Sequence, residues 1–203
     1  MKKKGCCIGC AVVLLVALVL VGLILYAVLG SDTYVTEDIA YYRAISGETD
    51  GPNSLPILGE QVDIYCPYEL PYLDDLAPYE DYRFNYTARR AFIFESHAYI
   101  LIAEYDETAY AGRKAELEAV CIWREEEIRG EAEGVNPNFA LDGFEFRCAE
   151  GGDYPKEMLL VGTNDGTREI AYIYFFDQDL DYIRPDMPGF LLAETGWKEV
   201  AGK

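Results

Sequence analysis

The chain has 203 residues, and its 36 acidic against 17 basic residues give a formal net charge of −19 at pH 7. Such a surface repels the phosphate backbone of nucleic acids, so a nucleic-acid partner is excluded. Aromatic residues make up 14% of the chain. That content supports a packed core, and the composition therefore predicts a folded domain rather than a disordered tail.

An uninterrupted apolar run at residues 8–29 comes first and contains neither a charged residue nor a proline. As a helix it would extend about 33 Å, enough to cross a hydrocarbon core of about 30 Å. Three lysines precede the run: Lys2, Lys3 and Lys4. Because positive charge is retained in the cytoplasm, the pattern predicts a single-pass signal anchor in the cell membrane, with the N-terminus cytoplasmic and residues 31–203 outside. The alternative is a secretory signal cleaved before Ser31.

The predicted anchor divides the chain into four segments. They are a basic cytoplasmic tail at 1–7, a transmembrane helix at 8–29, a stalk or linker at 30–60 and an extracytoplasmic domain at 61–203. Three cysteines follow the anchor: Cys66, Cys121 and Cys148. An odd number allows at most one internal disulfide, and the sequence leaves its pairing open.

Residues 65–86 combine regularly spaced tyrosines with three prolines. Proline disfavours a continuous helix, so the segment is predicted to be extended and turning. Because tyrosine offers both a flat face and a hydroxyl, one hypothesis is a surface that binds sugars or peptides. The alternative is that the tyrosines pack down over a sheet. The candidate surface residues are Tyr65, Tyr68, Tyr72, Tyr79 and Tyr82.

Regular secondary structure is predicted downstream of this segment. Residues 91–95 and 98–105 are rich in aromatic and β-branched side chains and are typical of strands. Asp106 and the acidic residue after it indicate the start of a helix that runs to about Ile122.

A β-hairpin is predicted where residues 158–163 and 168–176 flank the turn sequence Asn164-Asp165-Gly166. A second turn is indicated at 141–144. The order of elements predicts an α+β fold, in which the transmembrane helix is followed by one domain with a mainly antiparallel sheet and one principal helix.

Three carboxylates follow the last predicted strand: Asp177, Asp179 and Asp181. Alternate residues of an extended chain point the same way, and carboxylates together are calcium ligands. The match to a calcium-binding loop fails at Tyr182 and Pro188, which stand where glycine and glutamate are required. A calcium site and a solvated acidic turn therefore both stay open.

Catalytic motifs are missing from the sequence. His97 is the single histidine, and neither GxSxG nor HExxH occurs. The phosphate-binding patterns GxxxxGK[ST] and GxGxxG are also missing, so nucleotide binding has no support.

The sequence favours a membrane-anchored extracytoplasmic domain that is not an enzyme. It would bind another envelope protein as an accessory or sensor subunit. One alternative is an anchored hydrolase that cleaves cell-wall or glycan substrates with a carboxylate pair. The other alternative is a structural spacer.

Overall fold

The structure of the protein is a computed structural model. It describes residues 4–29, 31–48, 54–57, 60–63, 71–91, 94–125, 136, 138–149, 156–178 and 186–202. In the first helix it describes the side chains of residues 12–25.

The described chain forms helices and strands in the following order. The helices are α1 (Lys4–Leu29), α2 (Ile39–Ile45), α3 (Glu107–Val120), α4 (Met187–Glu194) and α5 (Trp197–Ala201), with a 3₁₀ turn at Asp74–Leu76. The first strands are β1 (Ser31–Thr36), β2 (Ser54–Ile57), β3 (Glu60–Asp63), β4 (Asp81–Ala91) and β5 (Phe94–Glu104). The later strands are β6 (Phe139–Leu141), β7 (Phe144–Ala149), β8 (Glu157–Asn164) and β9 (Glu169–Asp177).

Seven of these strands form one antiparallel sheet in the order β1-β4-β5-β9-β8-β7-β6, and β2 pairs with β3 alone. The protein is therefore α+β, with several helices around a seven-stranded sheet. The prediction of one principal helix is wrong, because the C-terminal segment forms two further helices that are buried against the sheet.

The predicted transmembrane helix is also wrong. Within the described residues, no helix combines the length and the apolar character that crossing a bilayer requires. The structure therefore contradicts the signal anchor at 8–29, the single-pass topology and the cell-membrane localisation.

The two predicted strands at 91–95 and 98–105 belong to a longer hairpin. Strand β4 ends at Ala91 and β5 begins at Phe94, so the first predicted strand overlaps the end of β4 and the start of β5. Most of β4 lies in the tyrosine-rich segment that was predicted to be turning. The prolines that suggested a turn end at Pro78, and nothing after that position removes a backbone donor from the strand.

Three local predictions are confirmed. Asp106 caps α3 by accepting hydrogen bonds from the backbone N–H groups of Thr108 and Ala109, at 2.8 Å each. Strands β8 and β9 form the predicted hairpin, and the Asn164 side chain accepts from the backbone of the turn. Strands β6 and β7 meet at a turn in which Asp142 and Gly143 both have positive φ.

The sheet has two differently built faces, because successive side chains of a strand alternate between them. Helices α4 and α5 cover the first face, which we call the aliphatic face. Helix α2, the 3₁₀ turn and Tyr110 of α3 pack on the second, which we call the tyrosine face. The aliphatic face buries Ile100, Phe146, Leu160, Ile173 and Phe175 against Phe190 and Trp197. The tyrosine face buries Tyr42, Tyr86, Tyr99, Tyr105, Tyr172 and Tyr174.

The cysteine prediction is only partly addressed by the described residues. Cys121 and Cys148 are free thiols, and Cys66 lies outside the described chain. Burial raises the pKa of the Cys148 thiol to about 12. Cys148 is therefore an inert core residue of β7 at neutral pH.

Candidate functional site

A cleft of about 280 Å³ lies at the edge of the aliphatic face, where strands β1 and β4 meet the C-terminal helices. Its walls combine aliphatic side chains with hydroxyl and charged groups. The residues that line it are Thr33, Val35, Thr87, Arg89, Leu192, Ala193, Gly196 and Glu199.

The sheet wall of the cleft arises from a polar row on β4. Arg83, Asn85, Thr87 and Arg89 occupy alternate positions, so all four project toward the C-terminal helices. In the register, the first three lie opposite the aliphatic residues Ile102, Ile100 and Ala98 of β5, and the fourth lies opposite Ser96. The packed core therefore gives way to polar groups at β4, and the cleft opens where the apolar packing ends.

Strand β1 completes the sheet wall. Its residues Thr33 and Val35 lie opposite Arg89 and Thr87 in the antiparallel register, so they share the same face. Val35 is 52% exposed, although it is a large aliphatic residue. Together with Leu192 it supplies apolar surface to the lining of the cleft.

The helix wall is held by Arg89. Its guanidinium pairs with the Glu194 carboxylate and donates a hydrogen bond of 3.1 Å to the backbone carbonyl of Ala193. These contacts anchor the end of α4 to β4. The Glu194 carboxylate also balances the positive charge of Arg89 inside the site. The other charged residue of the lining is Glu199.

The floor of the cleft depends on a close approach at Gly196, the N-cap residue of α5, which has φ of 80°. A β-carbon at this position would lie 2.4 Å from Nδ2 of Asn85 and 2.8 Å from Oγ1 of Thr87. Glycine is therefore required both for the positive φ and for the contact. Beneath it, Nδ2 of Asn85 donates a hydrogen bond of 3.0 Å to the Thr87 hydroxyl, and both residues are buried.

A second polar cluster lies on the tyrosine face. The Tyr86 hydroxyl and Nδ1 of His97 are 2.6 Å apart, and Nε2 of His97 is 3.7 Å from the Glu95 carboxylate. A proton on Nε2 satisfies both contacts, because Nδ1 then accepts from Tyr86. The bond to His97 lowers the pKa of Glu95, and burial raises the pKa of Tyr86. His97 is 4% exposed, and its partners make it part of the core of β5 rather than a residue of the cleft.

Within the described residues, the tyrosines of the predicted binding surface do not form one continuous exposed surface. Tyr72 is exposed, whereas Tyr79 and Tyr82 are partly buried and contact each other edge to face at 5.5 Å. Tyr65 and Tyr68 lie outside the described residues. Binding of sugars or peptides by these tyrosines stays a prediction.

The predicted calcium site is also left untested. Asp177 is fully buried at the end of β9, and Asp179 and Asp181 lie outside the described residues. No group of three potential metal ligands occurs in the part of the chain that the structure describes. Of the lysines used for orientation, Lys2 and Lys3 are outside that part as well.

Sequence reasoning missed the cleft residues. The alternation of polar side chains from Arg83 to Arg89 was the available signal, since it indicates a strand with one polar face. No sequence signal joins that strand to Gly196, because more than a hundred residues separate them along the chain.

Comparisons of this chain with protein-family models, with curated proteins and with solved structures found no match.

Proposed function

We propose that the protein is a non-enzymatic binding domain that holds one small molecule in the cleft between β1, β4 and the C-terminal helices. The observation that carries this proposal is the cleft itself, with its volume of about 280 Å³ and its mixed lining. Small-molecule sites are concave, with apolar walls and a few placed polar groups, and usually measure about 300–1,000 Å³. The cleft lies just below that range.

The chemistry of the lining favours binding over catalysis. The described lining contains neither histidine nor cysteine, so Thr87 has no adjacent base that would make it a nucleophile. Hydrolysis of a glycosidic bond uses two carboxyl groups about 5–10 Å apart. Glu199 is the one carboxylate among the described lining residues, and Glu194 nearby is held by Arg89.

The test is a screen of small uncharged and charged fragments against the full chain by ligand-observed NMR. Ala193 is an exposed lining residue of α4, so Ala193→Phe places a ring in the cleft without disturbing the core. Ala115 is an exposed alanine of α3, on the other side of the sheet, and Ala115→Phe is the matched control.

We expect fragments that bind the unmodified chain to bind the Ala115→Phe variant equally well and to lose at least about tenfold in affinity to the Ala193→Phe variant. A tenfold loss corresponds to about 1.4 kcal/mol. Equal binding to all three proteins would place the fragments elsewhere and overturn the proposal. Binding to another envelope protein, which the sequence analysis predicted, stays a separate prediction.

A further inference from the structure

We infer that the cleft selects a ligand without negative charge whose carbonyl oxygen accepts a hydrogen bond from the Thr87 hydroxyl, and that buried Asn85 is the positioning residue for that bond. The inference rests on the proposed function and adds the class of ligand. Its argument begins with the direction of one hydrogen bond beneath the cleft.

The Thr87 hydroxyl is oriented by its partner. Asn85 donates from Nδ2 to Oγ1 of Thr87 at 3.0 Å. A hydroxyl carries one proton and two lone pairs, so the bond from Asn85 occupies a lone pair and leaves the proton to be donated. Among the described residues no acceptor takes that proton, and Thr87 lines the cleft. The sheet wall therefore presents a donor to the cleft.

Asn85 holds this arrangement without touching a ligand. It is fully buried, and Gly196 packs directly over it. Its Oδ1 has no hydrogen-bond partner within the described residues. A buried polar atom left without a partner costs about 1–3 kcal/mol. A valine or leucine would fill the same strand position without that cost. The amide is therefore best explained by the hydrogen bond with which it orients the Thr87 hydroxyl.

The charges around the cleft disfavour an anionic ligand. Arg89 is matched by Glu194 and by the carbonyl of Ala193, which leaves the carboxylate of Glu199 on the lining. A ligand anion would meet this negative charge, and it would approach a chain with a net charge of −19. An uncharged amide meets no such repulsion, and its N–H groups can donate hydrogen bonds to Glu199 or to solvent.

The volume limits the size of the ligand. At about 30 Å³ for each water in the liquid, the 280 Å³ of the cleft corresponds to on the order of nine waters. N-acetylglycinamide is an uncharged probe of this size, and N-acetylglycinate is its matched anion because an oxygen replaces the terminal amide nitrogen. N-(2-aminoethyl)acetamide is a cation of similar length.

The experiment measures the affinity of these three probes for the full chain by ligand-observed NMR. We expect millimolar binding of N-acetylglycinamide, which is typical of so small a ligand, and at least about tenfold weaker binding of N-acetylglycinate. The Thr87→Val variant keeps the shape of the side chain but loses the donor, so it should lose at least about tenfold in affinity for the diamide, whereas Thr87→Ser should retain it.

The Asn85→Asp variant tests the positioning role separately. A carboxylate only accepts, so Thr87 must donate to it and can no longer donate to the ligand. We expect this variant to lose affinity for the diamide to the same extent as Thr87→Val. Thermal melting monitors folding of each variant, and the Thr87→Val and Thr87→Ser pair decides the question if Asn85→Asp does not fold.

The outcomes separate this inference from the proposed function. Equal or tighter binding of the anion, a cation that binds more weakly than the anion, or full binding of the diamide by Thr87→Val overturns the ligand class. The proposed function then still stands if Ala193→Phe abolishes binding of whichever fragment binds. If no fragment binds at the cleft, the proposed function and the ligand class fail together.

Discussion

The aliphatic and tyrosine faces of the sheet are built from the same strands, yet they bury different kinds of side chain. On β9, Ile173 packs under the C-terminal helices, whereas its neighbours Tyr172 and Tyr174 point to the opposite face. Hydrocarbon packing stabilises most of the first face, and β4 places a row of polar groups at its edge. Each buried phenol of the second face carries a hydroxyl whose desolvation must be offset. The comparison teaches that the cleft forms on the aliphatic face where hydrocarbon packing stops. On the tyrosine face the phenol hydroxyls are buried within the packed core instead.

The largest effect should come from the centre of the aliphatic face. Trp197 is fully buried, contacts Phe144 and Phe146 edge to face, and donates from Nε1 to Asp142 at 2.7 Å. Replacing it by alanine removes the ring and leaves a cavity, so we expect Trp197→Ala to lower the free energy of unfolding by about 3–5 kcal/mol. Urea denaturation measures it. The exposed neighbour Lys198 gives the control, and Lys198→Ala should change stability by less than about 0.5 kcal/mol.

The tyrosine face should be the alkali-sensitive one. Burial raises the pKa of Tyr172 and of Tyr86, so these phenols stay protonated when those of the unfolded chain ionise. Their contribution to stability is complete below the ordinary pKa of about 10 and is lost progressively as pH rises above it, by up to about 1.4 kcal/mol per pH unit for each group. Tyr172→Phe should therefore flatten the fall in stability between about pH 10 and pH 11.

A matched variant on the adjacent residue of β9 sharpens that result. Ile173 faces the other side of the sheet, and Ile173→Val should lower the free energy of unfolding by about 0.5–1.5 kcal/mol at every pH, leaving the slope unchanged. Urea denaturation in a pH series compares the two variants. Identical slopes for Tyr172→Phe and the unmodified chain would show that the buried phenols do not cause the alkaline loss.

A smaller loss is expected from a single hydroxyl of the tyrosine face. Tyr86→Phe keeps the ring that stacks on Tyr99 at 4.5 Å but leaves Nδ1 of His97 without its donor. We expect a loss of about 1–2 kcal/mol, since a buried acceptor is then unsatisfied. Tyr82 is partly exposed, and Tyr82→Phe should cost less than about 0.5 kcal/mol. Equal costs for both variants in urea denaturation would remove the distinction between buried and surface hydroxyls.

The smallest effect belongs to the exposed rim of the tyrosine face. Lys114 lies 2.6 Å from the Asp165 carboxylate, which is 74% exposed, and this contact lowers the pKa of Asp165. Solvent screens such a pair, so Lys114→Gln should cost no more than a few tenths of a kcal/mol, and about 1 M salt should remove the difference. A salt-independent loss above about 1 kcal/mol would contradict the view that this face is stabilised by its interior.

Local signals explain which parts of the fold the sequence predicted. Asp106 and the turn at Asn164 act within a few residues, so α3 and the β8–β9 hairpin were predicted correctly. The apolar run at 8–29 was the strongest pattern of all, and the membrane span that it predicted is not supported by the described helix.

The cleft was beyond prediction because its residues meet only through the fold. Thr33, Thr87 and Gly196 come from β1, β4 and the start of α5, and no spacing pattern connects them. The contact between Gly196 and Asn85 depends on how the C-terminal helices pack, which follows from burial of Trp197 rather than from the sequence around the glycine.

The most direct test of the proposed function is the location of a bound fragment on the chain. Backbone amide shifts of the full protein would be followed during titration with N-acetylglycinamide or with any fragment found in the screen. The account predicts shift changes at Thr33, Thr87 and Gly196, with none at Tyr110 or elsewhere on α3. Saturable changes that map to the tyrosine face, while the resonances of the cleft stay unmoved, would contradict it.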